Sequence, residues 1–329
     1  MHDASRLASI DISPLLGGDP DRRAVAAAAM GAAARRHGFF YVTGHGVDAG
    51  VIARMDAEAR AFFDLPPAEK EEIAMTRGGP AWRGWFPLGG ELTSGQPDQK
   101  EGVYFGEELG PTDPRVVDRW PMHGANLWPA RPAGLRSAVE TYVAQTARAA
   151  AAMMEGLSLA LGLPDCFFAE AFLRRPTVLF RIFRYPPALP SGWGVGEHTD
   201  YGLLTLLAQD DLGGLQVRTD GGWIEAPPIP ETLVCNVGDM LERLSGGRFI
   251  SAPHRVINRG GRERLSFPVF YDPDFEAVMT PAVEPVGPDD RRRGRWDGVD
   301  PNLFAGRYRD YLLRKVGAVF PDLKASAGA

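Results

Sequence analysis

Two periodicities divide the chain. In its first half apolar residues mostly recur at helical spacing, whereas beyond about residue 176 strand-length apolar runs follow one another between Gly, Pro and Asp turns. Ile10-Asp11-Ile12 reads as a short strand. Asp19-Pro20 then opens a helix through Ala24 to Arg36, with Asp19 as N-cap and Pro20 at the first helical position. Gly38 suits the left-handed residue that ends it. Phe39 to Val42 is a compact apolar strand, and a second helix, about Asp48 to Phe63, carries Val51, Ile52, Met55, Ala59 and Phe62 on one face. Arg77 to Gln99 has no period and is rich in Gly, Pro and Trp, a loop of the length that commonly carries function. Glu101 to Phe105 reads as a strand, Pro132 to Leu161 as a long helix with a wide apolar stripe, and Cys166 to Leu173 as a short helix.

The strand series then begins with Thr177 to Tyr185, where Arg181, Phe183 and Tyr185 share a face; a charge beside two aromatics on one face predicts a cavity wall. It continues with His198 to Ala208, Gly214 to Arg218, a hairpin at Asp220-Gly221-Gly222, Trp223 to Glu225, Thr232 to Val237, Val256 to Asn258 and Leu265 to Tyr271. Such spacing predicts a sandwich or jelly roll. A tail helix is expected from Asp300-Pro301 to about Val316. The expected fold is mainly β with flanking helices: one domain, in which a helical part (about 1–175) packs on a jelly-roll, or double-stranded β-helix, core (about 176–275), followed by a C-terminal loop and helix (about 276–329).

Composition narrows the function classes. The 329 residues are 44% hydrophobic, and the formal net charge of -6 with no long basic stripe argues against a nucleic-acid surface. The single basic run, Arg291 to Arg295, sits among Gly, Pro and Asp and reads as a solvated loop. Cys166 and Cys235 provide no disulfide framework, and there is neither a signal region nor an apolar stretch of membrane-spanning length. A cytoplasmic monomer without nucleic-acid or membrane partners is expected.

Candidate chemistry centres on Gly196-Glu197-His198-Thr199-Asp200. An imidazole and a carboxylate two residues apart on an extended chain reach the same side, and His254 can complete a set of three. Two histidines and a carboxylate on one side of an ion is the facial arrangement of non-haem Fe(II) oxygenases, although a mixed set also suits catalytic zinc. Ten residues beyond His254, Arg264-Leu265-Ser266 places a planar guanidinium fork beside a hydroxyl, a pairing suited to a carboxylate and one that zinc hydrolysis does not need. His37 and His45 sit at element joints without a carboxylate at ligand spacing and read as structural.

These motifs resemble the 2-oxoglutarate/Fe(II)-dependent dioxygenases, in the branch that includes isopenicillin N synthase. Further matching stretches are Arg36 to Val42 with Gly44-His45-Gly46-Val47, then Arg184-Tyr185-Pro186-Pro187, and Asn236-Val237-Gly238-Asp239, to which a structural turn role is given. The resemblance implies Fe(II) on His198, Asp200 and His254. It also implies 2-oxoglutarate as cosubstrate, its far carboxylate held by Arg264 and Ser266 with the Tyr185 hydroxyl as third donor. O2 would then oxidise a small-molecule substrate by hydroxylation, desaturation or ring closure, with release of succinate and CO2. In that branch the loop at 77–99 covers the active site, which makes Arg83 and Trp85 candidate substrate contacts beside Arg181 and Phe183. Two other readings stay open: a 2-oxoglutarate-independent oxidase of the isopenicillin N synthase type, and a non-catalytic jelly-roll binding module.

Overall fold

The structure, a computed structural model, describes residues 6–93, 95–187, 193–258, 261–287, 295 and 297–320. Its helices are α1 (Pro20–Arg36), α2 (Ala49–Phe63), α3 (Pro67–Lys70), α4 (Pro114–Val117), α5 (Leu135–Ala160), α6 (Phe167–Phe172), α7 (Asp239–Leu244) and α8 (Tyr308–Val319). Helix α1 starts where Asp19 accepts from the amides of Asp21 and Arg22, and α2 starts where Asp48 does the same for Gly50 and Val51. Gly38 has φ 65°, and a Cβ there would lie 1.8 Å from the Ile250 carbonyl oxygen, so the chain can leave α1 and enter the sheet only with glycine. The long helix α5 buries Leu135, Val139, Tyr142, Met153 and Leu157. Full burial of each large apolar side chain contributes roughly 1.5–3 kcal/mol. The Tyr142 hydroxyl donates to the Phe267 carbonyl at 2.9 Å, which fixes the helix to a central strand.

Strands β1 (Ala8–Asp11), β2 (Phe39–Thr43), β3 (Gly84–Phe86), β4 (Leu92–Thr93), β5 (Gln96–Pro97), β6 (Glu101–Gly106) and β7 (Pro176–Tyr185) precede the series β8 (Trp193–His198), β9 (Leu204–Gln209), β10 (Leu215–Thr219), β11 (Gly222–Glu225), β12 (Leu233–Val237), β13 (His254–Ile257) and β14 (Arg264–Asp274). An eight-stranded sheet runs β1-β2-β12-β9-β14-β7-β6-β3, and a four-stranded sheet runs β11-β10-β13-β8. The last eight strands, four in each sheet, form the jelly-roll core, and side chains of both sheets line one cavity between them. Among the described residues, no helix is long and apolar enough to cross a membrane.

Four local expectations change. The apolar run at 198–208 is two strands, with Asp200 in the intervening loop rather than on a strand. Asp239 N donates to the Asp200 carbonyl, and Gly238 N to that of Leu203, so this loop bonds to the start of α7 instead of continuing a ladder. Gly202 makes the turn possible, since a Cβ there would stand 1.5 Å from Asp272 Oδ1. The stretch at 77–99 contains β3, paired to β6, and the β4–β5 hairpin. Asp300 caps only a single 3-10 turn, Pro301–Leu303, and the tail helix begins later, at Tyr308. Arg295 is not solvated, because it pairs with the fully buried Asp239 at 2.8 Å; Arg291 to Gly294 lie outside the described residues.

Candidate metal centre

Strands β8 and β13 pair antiparallel with His198 opposite His254, which brings the two imidazoles to a centroid separation of 4.2 Å. Asp200, two residues past the end of β8, turns back toward them. Its Oδ1 lies 4.0 Å from His198 Nε2 and 3.7 Å from His254 Nε2. One ligand atom from each residue falls within 4.8 Å of the others, a grouping able to hold a metal ion. The other ends of these side chains are already engaged. His198 Nδ1 faces the Gly196 carbonyl at 2.8 Å and His254 Nδ1 that of Ala252 at 3.2 Å, which sets the tautomer with Nε2 as acceptor. Asp200 Oδ2 accepts from the Thr205 hydroxyl at 2.5 Å and from Asn236 Nδ2 at 2.7 Å. Oδ1 is thereby left facing the imidazoles.

Protonation follows from this enclosure. Burial, with His254 alongside, pushes the His198 imidazole down to about 3, so it is the neutral form a metal requires. Burial by itself would raise the Asp200 carboxyl, but the His254 and His198 rings and the two donated bonds hold it below the ordinary value. The site is a carboxylate and two imidazoles whose Nε2 atoms turn toward it, so that the three donor atoms converge. That donor set fits a divalent first-row metal.

The same cavity holds the predicted clamp. On β14, Arg264 and Ser266 point inward with Pro268, Phe270 and Asp272 in period two, and on β7 so do Leu179, Arg181, Phe183 and Tyr185. Register puts Arg264 opposite Tyr185, and the guanidinium lies 4.8 Å from that ring's centre. Arg264 is almost fully buried. Its Nε donates to the Gly213 carbonyl at 2.5 Å and its Nη2 reaches Gln209 Oε1 at 3.3 Å, but the buried Nη1 has no hydrogen-bond partner. An orphaned guanidinium donor inside a protein is costly unless an anion meets it, so the arrangement fits a carboxylate-bearing ligand.

Two predicted contacts are corrected. Arg83 does not reach this cavity: its Nη1 donates to the carbonyls of Glu107 and Gly124 and its Nη2 to that of Met122, a cage in which burial lowers the guanidinium to about 10. Trp85 faces away too, its indole N–H donating to Glu101 at 2.9 Å. The reason is pairing: β3 adds to the sheet at β6, which seats Arg83 in the 107–126 segment instead of over the metal. Arg181 and Phe183 do line the cavity. The covering stretch contributes Glu91 and Thr93 instead, Lys100 just beyond it joins them, and α8 adds Leu312. Glu91 is buried against Lys100 at 2.8 Å and accepts from the Tyr104 hydroxyl at 2.6 Å; burial would raise its carboxyl, yet Lys100 and Arg181 hold it down. Their polar groups pair within the same segment, Lys100 with Glu91 and Asp98 and Thr93 with Asp98, and the pairing of β6 with β7 is what buries them at the cavity. His37 and His45 stand apart from the centre, with His45 Nδ1 accepting from the Val47 amide at 3.1 Å.

Comparison with known proteins agrees with this geometry. Residues 7–131 match the family model described as the N-terminal region of the non-haem dioxygenases in morphine synthesis, and residues 176–273 match that of the 2OG-Fe(II) oxygenase superfamily. A probable iron/ascorbate oxidoreductase of Dictyostelium discoideum is 43% identical over 319 residues, covering 89% of this chain and 88% of that protein. A homoarginine-6-hydroxylase of Oryza sativa subsp. japonica is 37% identical, covering 95% and 97%. Among solved structures, a full-length Neurospora crassa protein in complex with alpha-KG and thymine superposes with a TM-score of 0.80 at 26% identity, covering 97% of this chain and 98% of that one.

Proposed function

The chain belongs to the 2OG-Fe(II) oxygenase superfamily, and we propose that His198, Asp200 and His254 hold its Fe(II) while Arg264, Ser266 and Tyr185 receive the far carboxylate of 2-oxoglutarate. The enzyme is a 2-oxoglutarate-dependent non-haem Fe(II) dioxygenase acting on a small molecule. One observation carries the residue assignment: a three-ligand cluster and a buried guanidinium with an unpartnered Nη1 share one cavity.

Each side chain has a definable task. The two backbone carbonyls hold the imidazole rings with Nε2 presented inward, and Thr205 with Asn236 keeps Asp200 turned so that one oxygen ligates. Arg264 fixes the cosubstrate's tail and so its orientation at the metal. Phe183, Leu207 and Phe270 give the cavity apolar walls that exclude water. Bound Fe(II) supplies the redox chemistry, activating O2 with 2-oxoglutarate, which leaves as succinate and CO2, to oxidise a C–H bond of the substrate. The whole chain acts as one oxygenase unit, and we take it to be a cytoplasmic monomer.

Oxygen uptake and succinate release, measured with Fe(II) or Zn(II) and with or without 2-oxoglutarate, test the reading. Succinate should form only when Fe(II), O2 and 2-oxoglutarate are together. Oxygen uptake that ignores 2-oxoglutarate would instead support an oxidase of the isopenicillin N synthase type.

A further inference from the structure

Arg181 is the second guanidinium of the cavity, and its situation differs from that of every neighbouring cation. Its Cζ lies over two rings, 4.2 Å from the centre of Tyr104 and 4.7 Å from that of Phe270, cation–π contacts that do not engage its donors in hydrogen bonds. Among the described residues its guanidinium makes no hydrogen bond; Nε is buried without a partner, and the nearest carboxylate oxygen, Glu91 Oε1, is 3.7 Å away. That oxygen already accepts from Tyr104, and the Glu91 charge is met by Lys100. Lys100 is itself engaged twice, by Glu91 and by Asp98, each at 2.8 Å. Arg184 pairs with Glu263 and the Phe63 carbonyl. Arg83 is enclosed by carbonyls. Arg181 alone of these keeps a pre-set fork of donors turned to the metal cavity.

The cosubstrate does not account for this fork. Arg181 and Tyr185 lie on the same face of β7, four residues apart, or about 13 Å along an extended strand. The carboxylate seated at Arg264 and Tyr185 is thus too distant to reach Arg181; Glu91 balances the Arg181 charge at 3.7 Å without a hydrogen bond, which leaves the guanidinium donors open to a further carboxylate. A planar, rigid guanidinium matches a carboxylate in the two-pronged manner and discriminates strongly against a neutral group in its place.

From this geometry we propose that the substrate carries a carboxylate, gripped by Arg181, so that the enzyme oxidises a small organic acid and orients it through that group. The inference rests on the oxygenase reading above and narrows it to a substrate class. Arg181 is a specificity-determining residue here, distinct from the metal ligands and the cosubstrate clamp.

The test uses the full chain loaded anaerobically with Fe(II) and 2-oxoglutarate. Calorimetric titration is run with L-homoarginine, 1-aminocyclopropane-1-carboxylate and indole-3-acetate, each beside its methyl ester, and with thymine as a neutral probe. At least one free acid should bind, with its ester roughly 10- to 150-fold weaker, the range expected for losing a charge-assisted hydrogen bond. Arg181→Gln should abolish the acid–ester difference and raise KM for the acid while moving the Kd of 2-oxoglutarate less than twofold. Arg181→Lys, which keeps the charge but not the fork, should recover part of the preference; it and the wild-type ester comparison serve if the Gln variant does not fold. Preferred binding of thymine or of an ester, no binding by any acid, or an Arg181 variant that weakens 2-oxoglutarate instead overturns the proposal. Failure of the wild-type protein to bind 2-oxoglutarate at all would instead count against the oxygenase assignment of Arg264.

Discussion

Replacing Thr205 with valine removes one donor from the candidate metal ligand while keeping a β-branched side chain of similar size on β9. In the native protein Asp200 Oδ2 accepts from Thr205 at 2.5 Å and from Asn236 at 2.7 Å, all three residues being buried. A hydrogen bond to a buried charge contributes about 1.5–3 kcal/mol. At 1.4 kcal/mol per tenfold this corresponds to a loss of roughly 10- to 150-fold in any equilibrium that depends on the carboxylate's placement. Metal affinity is such an equilibrium, and partners behind a ligand typically govern it by about 10–100-fold. Thr205→Val should therefore weaken Fe(II) binding by one to two orders of magnitude, read by anaerobic competition with a coloured chelator. Asn236→Ala should do the same. Because both act on one oxygen, the double variant should lose less than the product of the two effects. Affinities within twofold of wild type for both single variants would refute the idea that these donors hold Asp200 in place.

Other consequences are checked by simpler measurements. Arg264→Met should raise the Kd of 2-oxoglutarate at least 100-fold by calorimetry without changing Fe(II) stoichiometry, and Arg264→Lys should restore only part of it because the fork is lost. Asp239→Asn breaks a buried junction with Arg295, Ser251 and Tyr311, and should cost about 3–5 kcal/mol in denaturant unfolding. Gly202→Ala drives a methyl group into Asp272 and should displace the ligand loop, lowering both Tm and Fe(II) affinity. Burial raises Glu242 to about 7. The folded state therefore binds a proton that the unfolded chain releases nearer pH 4.5, and the stability tied to it is lost as pH rises from there toward 7. The full effect is roughly 3 kcal/mol. Glu242→Gln should flatten the wild-type decline in unfolding free energy over that window; an unchanged slope would show that Glu242 does not cause it.

The residues that share the cavity were legible because their pattern is local: a His-x-Asp pair, a histidine flanked by strand residues, and an Arg-x-Ser pair at one strand's period. Helices α1 and α2 were legible for the same reason, since Asp19 and Asp48 sit at their starts, whereas Asp300 caps only a single turn and the tail helix begins at Tyr308. What lies in pairing was not. Arg83 between two tryptophans resembles a substrate contact in one dimension, yet β3 joins β6 and turns it into a carbonyl cage. Glu91 and Lys100 look like surface charges until the strand bearing Lys100's neighbour Glu101 pairs with β7 and buries them beside Arg181 and Phe183. The break after His198 falls at Thr199-Asp200-Tyr201-Gly202, a polar and glycine-containing stretch between β8 and the apolar Leu203 to Ala208. Only the approach of Asp272 to Gly202 and the amides of Gly238 and Asp239 make the turn necessary. Arg295 read as solvent-facing because its partner, Asp239, lies 56 residues away.

An anomalous-difference map at the iron edge, from crystals grown anaerobically with Fe(II) and 2-oxoglutarate, bears most directly on the central assignment. The account predicts a single iron peak bonded by the Nε2 atoms of His198 and His254 and by Asp200 Oδ1, with the cosubstrate's far carboxylate against Arg264 Nη1. Iron bound elsewhere, or that carboxylate seated on Arg181, would contradict it.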